Sequence, residues 1–104
     1  MPNCFSLTRK SDLEAGPVVL QVIDEEMCKH FGVPCDPKIY HAYWYQTIGF
    51  SLACGKTFED IRDDVRSQIA NATDILHNLQ DLHQIAICDW LEANFTTNAW
   101  AERR

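Results

Sequence analysis

Four side chains that suit soft metals, Cys28, His30, Cys35 and His41, fall within fourteen residues at the spacing C-x-H-x4-C-x5-H. Thiolate and imidazole together suit zinc, yet structural zinc sites pair their ligands at shorter repeats, and this run follows none of the usual patterns. The set defines one reading of the chain, a metal-stabilised structural or regulatory module, which ranks second. Cys35 also precedes Asp36 and Pro37, a helix start, where the helix dipole lowers a thiol pKa. A small enzyme with Cys35 as nucleophile is the third reading, and the order of residues assigns it no base. Asp74, His77 and Asp81 fall along one side of a helical stretch, an arrangement that ordinarily makes a hydrogen-bonded exposed face. ACGKT at 53–57 invites comparison with a phosphate-binding loop, but Phe50 stands where that motif requires glycine. Lys56-Thr57 therefore reads as a helix-capping turn.

The other set able to act is acidic. Glu59, Asp60, Asp63 and Asp64 gather opposite the apolar stripe Phe58, Ile61, Val65 and Ile69. Acids near a helix N-terminus are favoured by its dipole, so the plain account is a solvated face. The sharper account is an electronegative patch for a basic protein partner, completed by one exposed aromatic, either Tyr45 on the central helix or Trp100 in the tail. Nine basic against fifteen acidic residues give a net charge of −6. That balance argues against direct nucleic-acid binding, which needs clustered Lys and Arg against the phosphates.

These residues must be held by elements legible in the pattern. Fifteen acidic and nine basic residues among 104, with 46% apolar, describe one ordinary globular domain, residues 1–104. CFSLTR at 4–9 alternates, and VVLQVI at 18–23 is rich in β-branched residues after Gly16-Pro17, so the two predict an N-terminal β-hairpin. Asp24 reads as the cap of a helix over 25–31 that Gly32 ends. Asp36-Pro37 opens a helix over 37–54. On it Ile39, Tyr43 and Phe50 share one face, while Tyr40, Trp44, Ile48 and Leu52 cover a second. A helix apolar on two faces is expected at the centre of the core, with tyrosine hydroxyls needing partners. Thr57 and Asp60 form a capping box for a helix over 58–69.

The last helix spans 74–95. Ile75, Leu79, Leu82, Ala86, Trp90 and Ala93 recur at spacings of three and four, widened by Leu76, His83, Ile87 and Leu91. The stripe packs on the core or lends part of itself to a homodimer. TTNAWAERR reads as one further helical turn around Trp100. The fold class is α+β, a hairpin packed on four helices.

Five cysteines in an odd, scattered set, and no apolar run of signal-peptide length in MPNCFSLTRK, point to free thiols in the cytoplasm. No stretch reaches the roughly 18 apolar residues of a membrane span, so no membrane partner is expected.

The run IDEEMCKHFGVPCDPKIYHAYWYQTIGFSLACGKTFEDIRDDV resembles short accessory proteins encoded by tailed phages of enteric bacteria. The similar features are the DEE-C-HFG segment, the Trp-Tyr helix ending in glycine, and the following T-F-E-D-I-R; the likeness covers about residues 1–66. It implies a compact protein made inside an infected cell that binds a host or phage protein, including antiviral machinery such as CRISPR effectors. The first reading is therefore non-catalytic protein binding, with no catalytic residue, metal or cofactor.

Overall fold

The computed structural model describes the backbone of residues 3–71 and 75–101, and the side chains of 4–69 and 78–99. Strand β1 (Asn3–Arg9) is followed by a short 3-10 turn (Leu13–Ala15) and helix α1 (Leu20–Phe31). Helix α2 (Pro37–Trp44) runs through a π-helical segment (Tyr45–Gly49) into α3 (Phe50–Ala53), and α4 (Phe58–Asn71) and α5 (Ile75–Asn94) follow. Strand β2 (Phe95–Ala101) pairs antiparallel with β1, Cys4 opposite Trp100 and Arg9 opposite Phe95. The α+β class holds, with helices supplying most of the structure.

The second strand is not the one the local pattern names. Residues 18–23 do not form a strand: Val18 N–H donates to the Leu7 carbonyl at 2.8 Å, a single bridge joins Thr8 and Pro17, and helix begins at Leu20. Pro17 has no N–H to extend the ladder. Leu20, Ile23, Met27 and Phe31 then recur at helical spacing, and burying Ile23 and Met27 completely outweighs the β-branched preference of the segment. The partner of β1 comes from the chain's other end. FTTNAWA, expected to be helical, is extended because β1 presents an unpaired edge and Phe95 buries fully beneath it. Asn94 makes the exit abrupt: its side-chain amide donates to the Trp90 carbonyl at 2.8 Å, satisfying one helix-end acceptor, and its own carbonyl accepts from Lys10 N–H at 2.9 Å.

The central helix is core, on one face. Tyr40, Trp44, Ile48 and Leu52 are buried, whereas Ile39 and Phe50 are each 65% exposed. Steps of four drift by about 40° per step on a regular α-helix, and the wider π turn takes up that lag, keeping all four inward. Two local features accompany the π turn. Thr47 Oγ1 lies 3.3 Å from the Trp44 carbonyl and 2.8 Å from Gln84 Oε1. Gly49 leaves room for the Tyr45 ring, since a Cβ there would stand 2.7 Å from Tyr45 Cδ2. Among the described residues, no helix is long and apolar enough to cross a membrane.

Candidate functional site

α4 begins at the expected capping box. Asp60 N–H donates to Thr57 Oγ1 at 3.1 Å, and Thr57 N–H donates to Asp60 Oδ2 at 3.2 Å. Glu59 accepts from Arg62 Nη2 at 2.9 Å. Arg62 Nη1 reaches across to Asp89 at 3.1 Å and Glu92 at 3.0 Å on α5. Arg62 is only 8% exposed, and its hydrogen bonds to Glu59 and Glu92 raise its pKa against the effect of burial. Asp63 pairs with Arg66 at 3.3 Å and Asp64 with Lys56 at 2.6 Å, both on the surface. Each of the four acids thus has a partner within the chain. The face still holds six carboxylates against Lys56, Arg62 and Arg66, so an excess of negative charge survives.

Beside this face, a groove of about 200 Å³ lies between the π segment and α3 on one side and α4 on the other. Ile61 and Val65 give it an apolar floor, Phe50 stands exposed along it, and Asp64, Gln46 and Gln68 supply polar groups. Buried Asp81 and Gln84 of α5 also line it. Phe50 is the surface aromatic that sequence reasoning placed on an inward face. The run of four-residue spacings from Tyr40 to Leu52 was the available signal of a wider turn.

Of the two aromatics expected at this patch, Tyr45 is engaged elsewhere. Tyr45 is partly buried: its ring stacks on His41 at 4.9 Å, lies 5.8 Å from Phe5 and meets Trp44 edge-on. Trp100 stands in β2 opposite Cys4, and its side chain lies outside the described residues.

The cysteine and histidine set is dispersed. His41 Nδ1 sits 2.8 Å from Asp24 Oδ2, while His30 packs edge-on against Phe31 and beside Trp90. Cys28 is partly buried, which raises its thiol pKa, and Cys35 is exposed just before α2. Among the described residues, no three His, Cys, Asp or Glu side chains converge as a metal site. For Cys35 as nucleophile, the two histidines with hydrogen-bonding or ionic partners are engaged elsewhere, His41 with Asp24 and His83 Nε2 with Tyr40 Oη at 2.7 Å. Asp74 and the side chain of His77 lie outside the described residues.

Asp24 is not a helix cap. It lies inside α1, 5% exposed, and its Oδ1 accepts from Trp44 Nε1 at 2.7 Å. Burial raises its pKa, while the bonds from Trp44 and His41 lower it. The Asp24–His41 pair has the form of a general-base couple. The recess beside it is lined by Gln21, Asp24, Lys38 and His41, with no hydroxyl or thiol among them. Its visible work is to lock α1 onto α2. A second lock joins α2 to α5, where Tyr43 Oη donates to the Gln80 carbonyl at 2.9 Å beside the Tyr40–His83 bond. Burial lowers His83 and raises Tyr40, so that bond joins neutral groups.

α5 carries two apolar faces. Ile87, Cys88 and Leu91 are fully buried, and Cys88 is pushed up to about 12 by that burial. The stripe that the spacing made most prominent points outward: Leu79 is 57% and Leu82 53% exposed, Ala93 is exposed, and Ala86 and Trp90 are partly so. Comparison with protein-family models, with curated proteins and with solved structures finds no match to this chain.

Proposed function

We propose that the chain is a non-catalytic protein-binding accessory protein, phage-encoded and acting in the host cytoplasm, that modulates or inhibits a host or phage machine. Antiviral defence, such as a CRISPR effector, is the target class that the family resemblance favours. One observation carries the binding reading: an exposed phenyl ring, Phe50, borders a groove beside a face with excess carboxylates. Charge of this kind steers encounter with a basic surface, and an aromatic anchored in a pocket supplies affinity.

The test separates those two roles. The Asp60 carboxylate accepts from Thr57 N–H in the capping box of α4 and Glu59 holds Arg62, so reversing them would disturb the fold. Asp63 and Asp64 stand on the surface, so Asp63→Lys with Asp64→Lys reverses charge at the cost of two exposed ion pairs, with Arg66 and Lys56, and of the groove's Asp64 carboxylate. The association rate, not the dissociation rate, is therefore its readout. With a partner identified by cross-linking in infected cells and then purified, this double variant is expected to associate roughly tenfold more slowly at low salt. Phe50→Ala should instead speed dissociation. Association and dissociation rates both unchanged would remove this surface from the reading.

The outward stripe of α5 favours a second copy of the chain as its occupant. From Leu79 to Cys88 the helix carries one charged residue, Asp81, and that one is buried. Asp89, exposed on the same face one turn beyond Ala86, is paired with Arg62, so two chains of charge −6 can meet along Leu79–Ala86 with that carboxylate at the edge of the contact. A concentration-dependent dimer in sedimentation velocity, abolished by Leu79→Glu with Leu82→Glu, is the expected result. A monomer at millimolar concentration would refute it.

A further inference from the structure

We infer that the groove between α3 and α4 is a receptor for a single arginine side chain presented by the partner, an inference that rests on the protein-binding reading for its biological setting. The groove combines three features that together suit a guanidinium on an aliphatic stem. Ile61 and Val65 form apolar walls for the methylenes, and about 200 Å³ is room for one long side chain. Phe50, 65% exposed, offers a ring face on which a planar cation stacks. Asp64 offers a carboxylate, and Gln46 and Gln68 offer amide oxygens, as acceptors for the guanidinium N–H groups.

Asp64 is already matched by a cation, which supports its role as an acceptor of positive charge. Lys56 Nζ donates to it at 2.6 Å, and both side chains are about half exposed, 47% and 54%. An exposed pair of this kind is held weakly, so an incoming cation exchanges with Lys56 at little cost. Arginine is favoured over lysine because its guanidinium is planar, more weakly hydrated and able to stack while donating in the ring plane. Lysine would bring one point charge and lose more hydration.

The test uses the intact chain and small probes. The 15N-labelled protein is titrated with N-acetyl-arginine methylamide, with the lysine analogue, and with the neutral citrulline analogue. The expected result is saturable shifts at the amides of Gln46, Phe50, Asp64 and Gln68 with arginine, roughly fivefold weaker binding of lysine, and none with citrulline. Phe50→Ala should weaken arginine binding roughly two- to fivefold. Lys56→Ala should tighten it by releasing Asp64. Both positions are exposed, so both variants are expected to fold. Citrulline binding as well as arginine, shifts spread over the acidic face without preference for the groove, or arginine binding indifferent to Phe50→Ala would each overturn the inference. A groove that ignores arginine leaves the steering reading to stand on the association rates of the Asp63/Asp64 variant. A groove that binds arginine while those rates stay unchanged places the failure in the steering reading instead.

Discussion

Trp44→Phe keeps a ring in the core and deletes one hydrogen bond. Trp44 is fully buried, and its Nε1 is 2.7 Å from Asp24 Oδ1, itself in a residue 5% exposed. Leaving a buried acceptor short of a donor costs about 1–3 kcal/mol, and the smaller ring leaves a void costing about 1 kcal/mol more. The expected loss is about 2–4 kcal/mol, or roughly 10–25 °C of melting temperature in a domain of this size. Its pH dependence tests the cause. Burial already raises the Asp24 pKa above 3.8, and the Trp44 bond is one of the influences lowering it. Removing that bond raises the folded-state pKa further. A carboxyl with a raised folded pKa contributes stability that is fully present below the unfolded pKa and is lost as pH rises through the folded value. The variant therefore loses more than the parent as pH rises, and the gap between their urea midpoints should widen from about pH 4 to about pH 7. Equal midpoints, or a gap constant across that range, would refute the assignment of Asp24 as the buried carboxyl that anchors the indole.

Gly49→Ala should destabilise by about 1–3 kcal/mol, because the new Cβ meets the Tyr45 ring at 2.7 Å. In an unconstrained helix the same change stabilises by about 1 kcal/mol, so the sign of the thermal shift decides. Arg62→Met leaves Glu59, Asp89 and Glu92 without their shared cation and should cost about 1–2 kcal/mol, since those partners are largely solvated. The loss should shrink in high salt, and melting curves at two ionic strengths measure it.

Local order was enough for the elements whose signals are local. Asp36-Pro37 starts α2, with Asp36 accepting from Lys38 N–H at 2.8 Å, because a cap is a contact between near neighbours. The Thr57–Asp60 box and the Phe58, Ile61, Val65 face of α4 follow from spacing for the same reason. Net charge and the acidic side of α4 are likewise properties of the residues themselves.

What depends on distant partners was decided only in three dimensions. A β-branched run at 18–23 is a strand or a helix according to what can bury it, and α1 wins by sealing Ile23 and Met27 against the core. β1 needs an edge partner, and no local rule names FTTNAWA, more than eighty residues away, as that partner. Asp24 exchanges a cap's role for a buried bond because Trp44 arrives from another helix. Two apolar stripes on α5 look alike on a helical wheel, and contact with α4 and the sheet chooses Ile87 and Leu91 over Leu79 and Leu82. Phe50 reached the surface through the π turn, a wider backbone winding that residue spacing only hints at and that the close Gly49–Tyr45 contact accompanies. Sequence determined which residues could cap, pair or be buried; tertiary packing determined which did, because burial free energy is set by neighbours the chain brings together from afar.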